Sequence, residues 1–238
     1  MKHWVTKNGI HIHRILRGRC NCYLVSNQDR YLLIDSAMRK NWKSLTRNLD
    51  KLGVTKDASI ALVLTHCHFD HAENAAKFKE TYKAPVIVHR NEGLLLKNGD
   101  NPIIGGTMFF TKILAYILNR PKFLARFRYR PTDFDRLVDE KVELKPFGIS
   151  GYILHTPGHT PGSTSVIIDN EIGMVGDAMF GVLKGSVFPP FADDPKQMVK
   201  SWKRLLDTGC RIYLPAHGTE RTRDIVKRQY EKCKRVFQ

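Results

Sequence analysis

Short apolar runs, separated by polar stretches rich in Gly, Pro, Asn and Asp, dominate the chain. The run at 60–65 (Ile-Ala-Leu-Val-Leu-Thr) and those at 85–89, 152–155, 163–168, 172–175 and 211–214 have strand length and strand composition. Between them the apolar positions change to a helical period. Trp42, Leu45, Leu49 and Leu52 share one face of a helix predicted over 41–52, which stops at Gly53. A second helix is expected over 71–82. A third starts at Pro195 behind an Asp194 cap and aligns Met198, Val199, Trp202, Leu205 and Leu206. Residues 220–237 should form the closing helix. Strands alternating with helices, without an internal repeat, predict a layered α/β protein, and 238 residues suit a single domain over 1–238 with a substantial core.

One stretch exceeds what a compact version of this layout needs. Residues 71 and 159 stand 88 positions apart, more than one helix and two or three strands require, and the surplus centres on 105–131. There Phe109, Phe110, Ile113, Leu114, Ile117 and Leu118 recur at helical spacing, while Lys112, Arg120, Lys122, Arg126, Arg128 and Arg130 add six positive charges against no acid. This reads as a basic, apolar lid in which Phe109 and Phe110 would contact an acyl-bearing or anionic substrate. An amphipathic helix packed on the core fits the same pattern. Contact with a membrane surface does too.

The chemistry of the chain concentrates at the end of the apolar run 60–65. His66, His68, Asp70 and His71 follow it within six residues, and burying three imidazoles and a carboxylate without partners would be costly. In an extended segment residues two apart project to the same side, so His66 and His68 can grip one ion while Asp70 and His71 face a second. His159 in Thr-Pro-Gly-His-Thr-Pro-Gly, Asp177 in Val-Gly-Asp-Ala and His217 in Leu-Pro-Ala-His-Gly each follow or interrupt a short apolar run, where loops on a rigid scaffold collect functional groups. Seven ligands suit two ions. His3, His89 and His155 carry no such company. His11 and His13 alternate with Ile10 and Ile12, as the polar face of a half-buried strand would.

With these motifs in this order, the sequence resembles the metallo-β-lactamase-fold hydrolases, and residues 21–25 and 32–35 look like that family's opening strands. The resemblance implies an αββα sandwich: two mixed β-sheets packed together, with helices outside. It implies that His66, His68 and His159 hold one metal, that Asp70, His71 and His217 hold the other, and that Asp177 bridges them. It also implies a hydroxide between the metals, aimed by Asp70 as the catalytic carboxylate, acting on an ester, thioester or lactone bond. Two close cations can supply such a nucleophile at neutral pH. Zinc is the default for these ligands, with iron, manganese or cobalt also suited.

Departures within the family narrow the substrate. The presence of Asp177 and the lack of an export signal argue against a zinc β-lactamase. Quorum-signal lactonases place a tyrosine where this chain has Phe180, so Phe180 becomes a candidate substrate contact without the hydroxyl. Gly-Asp-Ala-Met-Phe at 176–180 is closer to the Gly-Asp-Thr-Leu-Phe of hydroxyacylglutathione hydrolases, whose C-terminal glutathione-gripping region is not matched by the 21 residues after His217. Flavin-linked diiron reductases carry an acid where His68 stands.

A net charge of +16 keeps a phosphodiesterase or nuclease of the same fold as the alternative, since basic proteins neutralise phosphates. The charge is dispersed, however, and Glu220, Asp224 and Glu231 interleave with the C-terminal cations like a solvated helix face. A noncatalytic metal-stabilised binding protein would not need so complete a ligand set. Five cysteines without a Cys-x-x-Cys pair argue against a disulfide framework, with Cys67 pointing away from its ligand neighbours to pack. No apolar stretch resembles a secretory or membrane-spanning segment. The expectation is a cytoplasmic enzyme with a small-molecule partner.

Overall fold

A computed structural model describes residues 1–237. The chain opens as an antiparallel meander, β1 (Lys2–Val5), β2 (His11–Leu16), β3 (Cys22–Asn27) and β4 (Arg30–Ile34). Crossing over through α1 (Trp42–Asp50), it returns as β5 (Ser59–Val63), parallel to β4. Next come α2 (Phe69–Ala72), α3 (Ala75–Tyr82), the parallel strand β6 (Val86–His89) and α4 (Arg90–Asn98). An excursion through α5 (Phe109–Leu118) and α6 (Pro121–Leu124) precedes β7 (Arg136–Val138), which closes a seven-stranded sheet in sequential order.

The second sheet has six strands. β8 (Lys141–Glu143), β9 (Gly151–His155), β10 (Thr164–Ile168) and β11 (Ile172–Gly181) run antiparallel, and α7 (Pro195–Asp207) crosses to β12 (Ile212–Gly218), parallel to β11. A short β13 (Arg221–Thr222) forms the edge, and α8 (Arg223–Phe237) covers the outside. Both sheets are mixed.

Strand periodicity separates the layers. In β5 and just beyond it, Ile60, Leu62 and Leu64 face α1 and α3 with Leu45, Leu49 and Phe78, while Ala61 and Val63 face the other sheet. In β10, Val166 and Ile168 meet them across the interior, whereas Ile167 turns outward to the cluster of Met198, Trp202 and Val226. Continuous apolar runs were required because both faces of these strands are covered. The result is the expected αββα sandwich, and the 41–52 helix keeps its apolar stripe as α1.

Three boundaries differ from the sequence reading, and two of them shape the site. The 71–82 helix is broken: a separate turn, α2, carries Asp70 and His71 before α3 begins at Ala75. Strand β11 runs past Val175 to Gly181 and β12 past Leu214 to Gly218, so Asp177 and His217 lie inside irregular strand extensions, with register shifts around Gly176. Gly176 has φ +50°, and a Cβ there would stand 2.8 Å from the Thr65 side chain, so the strand can bend here only because the residue lacks one. The third difference is that residues 221–222 pair as β13 before the closing helix starts at Arg223.

Candidate metal centre

The segment after β5 is fixed by side chains from distant parts of the chain. Asp35, buried at the end of β4, accepts hydrogen bonds from the Thr65 amide (2.8 Å) and hydroxyl (2.9 and 3.0 Å). The Cys67 amide donates to Glu92 Oε2 at 2.9 Å, and its side chain packs into the outer core. With Thr65 and Cys67 anchored, His66 and His68 project to the common side. His68 then enters α2, whose first turn carries Asp70 and His71.

The other three candidate ligands arrive from the second sheet. Glu92 also accepts from the Thr160 hydroxyl at 2.6 Å, so one buried carboxylate clasps the 66–68 segment to the His159 loop. Gly158, at φ +132°, lets that loop pass against α7, where a Cβ would lie 2.3 Å from the Met198 nitrogen. Asp177 follows the Gly176 bend, and His217 pairs across β11 and β12 with Phe180, whose ring stacks on it at 4.5 Å.

Three ring nitrogens meet at one point: His68 Nδ1 lies 2.9 Å from His66 Nε2 and 3.0 Å from His159 Nε2. Their tautomers follow from the other ring atoms. The Thr65 hydroxyl spends its single proton on Asp35, so at 3.2 Å it accepts from His66 Nδ1; His159 Nδ1 donates to the Phe191 carbonyl at 3.0 Å. Both Nε2 atoms are therefore bare acceptors. On the other side, His71 Nδ1 donates to Asp35 Oδ2 at 2.9 Å, aiming Nε2 inward, and donor atoms of Asp70, His71 and His217 come within 4.8 Å of one another. Asp177 stands between the groups, 3.5 Å from His159 Nε2, 3.2 Å from His217 Nε2 and 3.6 Å from His71 Nε2.

The cluster fits divalent cations. His71 Nε2 and Asp177 Oδ1 are buried without a hydrogen-bond partner, a condition that a coordinated ion relieves. Burial, then neighbouring imidazoles, holds His66 well below the usual histidine range, and burial with His159 lowers His68 to about 3; both rings are neutral and could each offer a lone pair to an ion. Burial also lowers His159. His71 behaves oppositely: burial opposes its charge, but the carboxylates of Asp35 and Asp177 outweigh it and push the pKa up to about 10. Burial resists the Asp177 charge too, yet three imidazoles keep it low. Cys20 Sγ lies 3.6 Å from His71 Nδ1, on the nitrogen that faces Asp35, and burial pushes its thiol up, so it is a packing neighbour.

A cavity of about 300 Å³ opens above the ligands. Its walls are apolar, from Phe69, Ile104, Leu114, Leu118, Phe180 and Phe191, and its one cation is Arg19, whose Nε lies 3.5 Å from Asp70 Oδ2. All seven sequence-predicted ligands are gathered here, and Phe180 reaches the wall. Phe109 and Phe110 do not: they point outward, 82% and 64% exposed, while Leu114 and Leu118 from the inner face of the same helix line the cavity. Helical spacing grouped these side chains without showing which edge of the stripe faces inward. Sequence reasoning also missed Asp35, Glu92 and Arg19, which neighbour no ligand in sequence. His3, His11 and His13 gather on the outer face of β1 and β2, where His3 Nε2 and His11 Nδ1 are hydrogen-bonded at 2.9 Å and the three ring nitrogens lie within 4.8 Å of one another.

Known proteins share this arrangement of chain. The chain is 32% identical over 160 residues, 67% of each chain, to a probable metallo-hydrolase of Methanocaldococcus jannaschii, and 26% identical over 165 residues to a probable metallo-hydrolase of Bacillus subtilis, covering 68% of this chain and 67% of that one. A metallo-β-lactamase superfamily protein of Sulfolobus tokodaii superposes with a TM-score of 0.64 at 21% identity, over 93% of this chain and 85% of that one. A protein crystallised in a di-iron-bound form superposes with a TM-score of 0.62 at 26% identity, over 88% and 93%. The family model described as the metallo-β-lactamase superfamily matches residues 15–217, from the end of β2 to the last candidate ligand. The chain thus belongs to the metallo-β-lactamase superfamily and is a metal-dependent hydrolase within it.

Proposed function

We propose that the protein is a dinuclear metallohydrolase that cleaves an ester, thioester or lactone bond in a small substrate with an apolar portion. The position of Asp177 carries the dinuclear reading, because its carboxylate lies between His159 on one side and His71 with His217 on the other. His66, His68 and His159 would hold one ion, and Asp70, His71 and His217 the second, with Asp177 common to both. When bound, such ions supply Lewis acidity toward the scissile carbonyl and acidify water. Zinc is our first choice from the donor set, and the di-iron neighbour keeps iron beside it.

The protein's own groups have distinct tasks. Asp70, at the cavity floor and 7% exposed, accepts a hydrogen bond from the attacking water and turns its lone pair toward the carbonyl. Asp35 holds His71 in one tautomer and orientation. Arg19 offers a guanidinium to a negative group of the substrate, and Phe69, Leu114, Leu118 and Phe191 exclude water around the apolar part. With only one cation in its lining, the cavity supports a small amphiphilic substrate better than a nucleic-acid backbone, which needs a run of charges. Five unpaired cysteines support a reducing compartment, which we take to be the cytoplasm.

A panel of thioesters, lactones, β-lactams and bis-aryl phosphodiesters, assayed on protein of known metal content, tests the reading. Turnover is expected on the carboxylic esters, thioesters or lactones, and Asp70→Asn should lose most of it while remaining folded. Hydrolysis confined to phosphodiesters, or an Asp70→Asn enzyme as active as the parent, would overturn it.

A further inference from the structure

Helix α5 hides only one edge. Thr111 and Ala115 are buried, and Leu118 lines the metal cavity together with Leu114, itself 42% exposed, while Phe109, Phe110, Ile113, Tyr116 and Ile117 are 82, 64, 50, 65 and 43% exposed. Two more apolar side chains, Val182 and Leu183 at 64 and 69%, stand out from the loop after β11. Most of the large apolar side chains that the described residues leave exposed belong to this helix, its flanks or this loop. A scatter of single exposed residues would be ordinary; a cluster is not.

Charge follows the same boundary. No acid occurs between Asp100 and Asp133 or between Asp177 and Asp193. Those stretches carry Lys112, Arg120, Lys122, Arg126 and Lys184, all exposed, beside Arg128 and Arg130, which pair with Asp100 and Glu80. Arg120 and Arg126 lie over the rings of Tyr116 and Phe123. Apolar side chains accompanied by cations, with no acid among them, have the composition of a helix that lies in the boundary of an anionic bilayer.

An apolar annex borders both this surface and the metal cavity. A second cavity of about 320 Å³ is walled by Met108, Val182, Leu183 and Phe188, and it shares Phe180 and Pro190 with the cavity above the ligands. Val182 and Leu183 thus belong at once to the exposed face and to the annex. We propose that the face formed by α5 and the 182–184 loop docks the protein on an anionic lipid bilayer, with the annex open toward the acyl region. Docking so placed sets the annex, and the cavity that shares its Phe180 and Pro190 wall, against the acyl region.

The alternative occupant, a second copy of this chain, fits less well. A two-fold contact would set the face against itself, bringing Lys112, Lys122 and Lys184 toward their own copies with no acid to answer them. An anionic headgroup layer answers all of them.

Sedimentation with vesicles tests this without any assay of hydrolysis, so failure here leaves the hydrolase reading standing, and the reverse. Metal-loaded protein should partition onto vesicles containing about three-tenths phosphatidylserine at least tenfold better than onto pure phosphatidylcholine. The Phe109→Ser/Phe110→Ser variant and a separate Val182→Ser/Leu183→Ser variant, each checked for an unchanged melting temperature, should each lose about tenfold or more. The Lys112→Gln/Lys122→Gln/Lys184→Gln variant should lose the preference for phosphatidylserine and most of the sensitivity to salt. Partition equal on both lipids, or unchanged in both apolar variants, overturns the proposal. So does a parent that sediments as a dimer and becomes monomeric in Phe109→Ser/Phe110→Ser, because the face is then an interface between copies.

Discussion

His66 and His71 are separated by five positions and hold opposite electrostatic states, and the cause is a carboxylate 36 residues upstream of His71. Asp35 contacts His71 Nδ1 directly, whereas His66 has the Thr65 hydroxyl in between. An ion binds neutral imidazole, so a site that includes His71 must first expel a proton that the ring keeps up to about pH 10. Its affinity should rise with pH, about tenfold per unit through the neutral range. Burial holds the His66, His68 and His159 rings below the usual histidine range, so that group should respond little through the neutral range. Metal titrations between pH 6 and 8 would show one pH-dependent and one pH-independent ion; two ions with equal pH dependence would contradict the assignment. Replacing Asp35 with Ala should flatten the pH dependence of the second ion while the first is retained. The seven candidate ligands that the fold gathers were legible because each sits in a local motif. Asp35, Glu92 and Arg19 were not, since their partners come from remote segments and only the fold brings them together.

Glu92, on α4, shows how elements rather than motifs hold the site. Its carboxylate joins the segment after β5 to the loop before β10, and burial pushes its pKa up despite the bonds to Cys67, Thr160 and Gly162 that favour the charge. Glu92→Leu strands the Cys67 amide and Thr160 hydroxyl and should destabilise the fold by about 2–4 kcal/mol, read from chemical denaturation. A loss below about 1 kcal/mol would show that the clasp is dispensable. On α5, Leu114→Ala/Leu118→Ala widens the cavity wall and should raise KM for a long-chain acyl substrate several-fold more than for a short ester; equal effects would remove this helix from substrate binding. The helix itself was readable from its spacing, and so was its excess over a compact fold. Its inner edge was not, because nearly the whole circumference is apolar and periodicity then names no preferred face.

Across the whole molecule, the layered architecture was the most legible level. Both faces of the central strands are covered, so their sequences are continuously apolar, and the alternation of strands with helices prescribes two mixed sheets between helical layers. The net charge of +16 was legible as a number but not as a function; the structure puts one of the cations, Arg19, in the cavity lining and others around the exposed face of α5. All of the proposed chemistry depends on two ions held in common by Asp177. Crystals soaked in zinc and measured at its absorption edge address that most directly. Two anomalous peaks about 3.5–4 Å apart, one among His66, His68 and His159 and one among Asp70, His71 and His217, with Asp177 touching both, are the predicted result. A single peak, or none, in fully soaked crystals would contradict it.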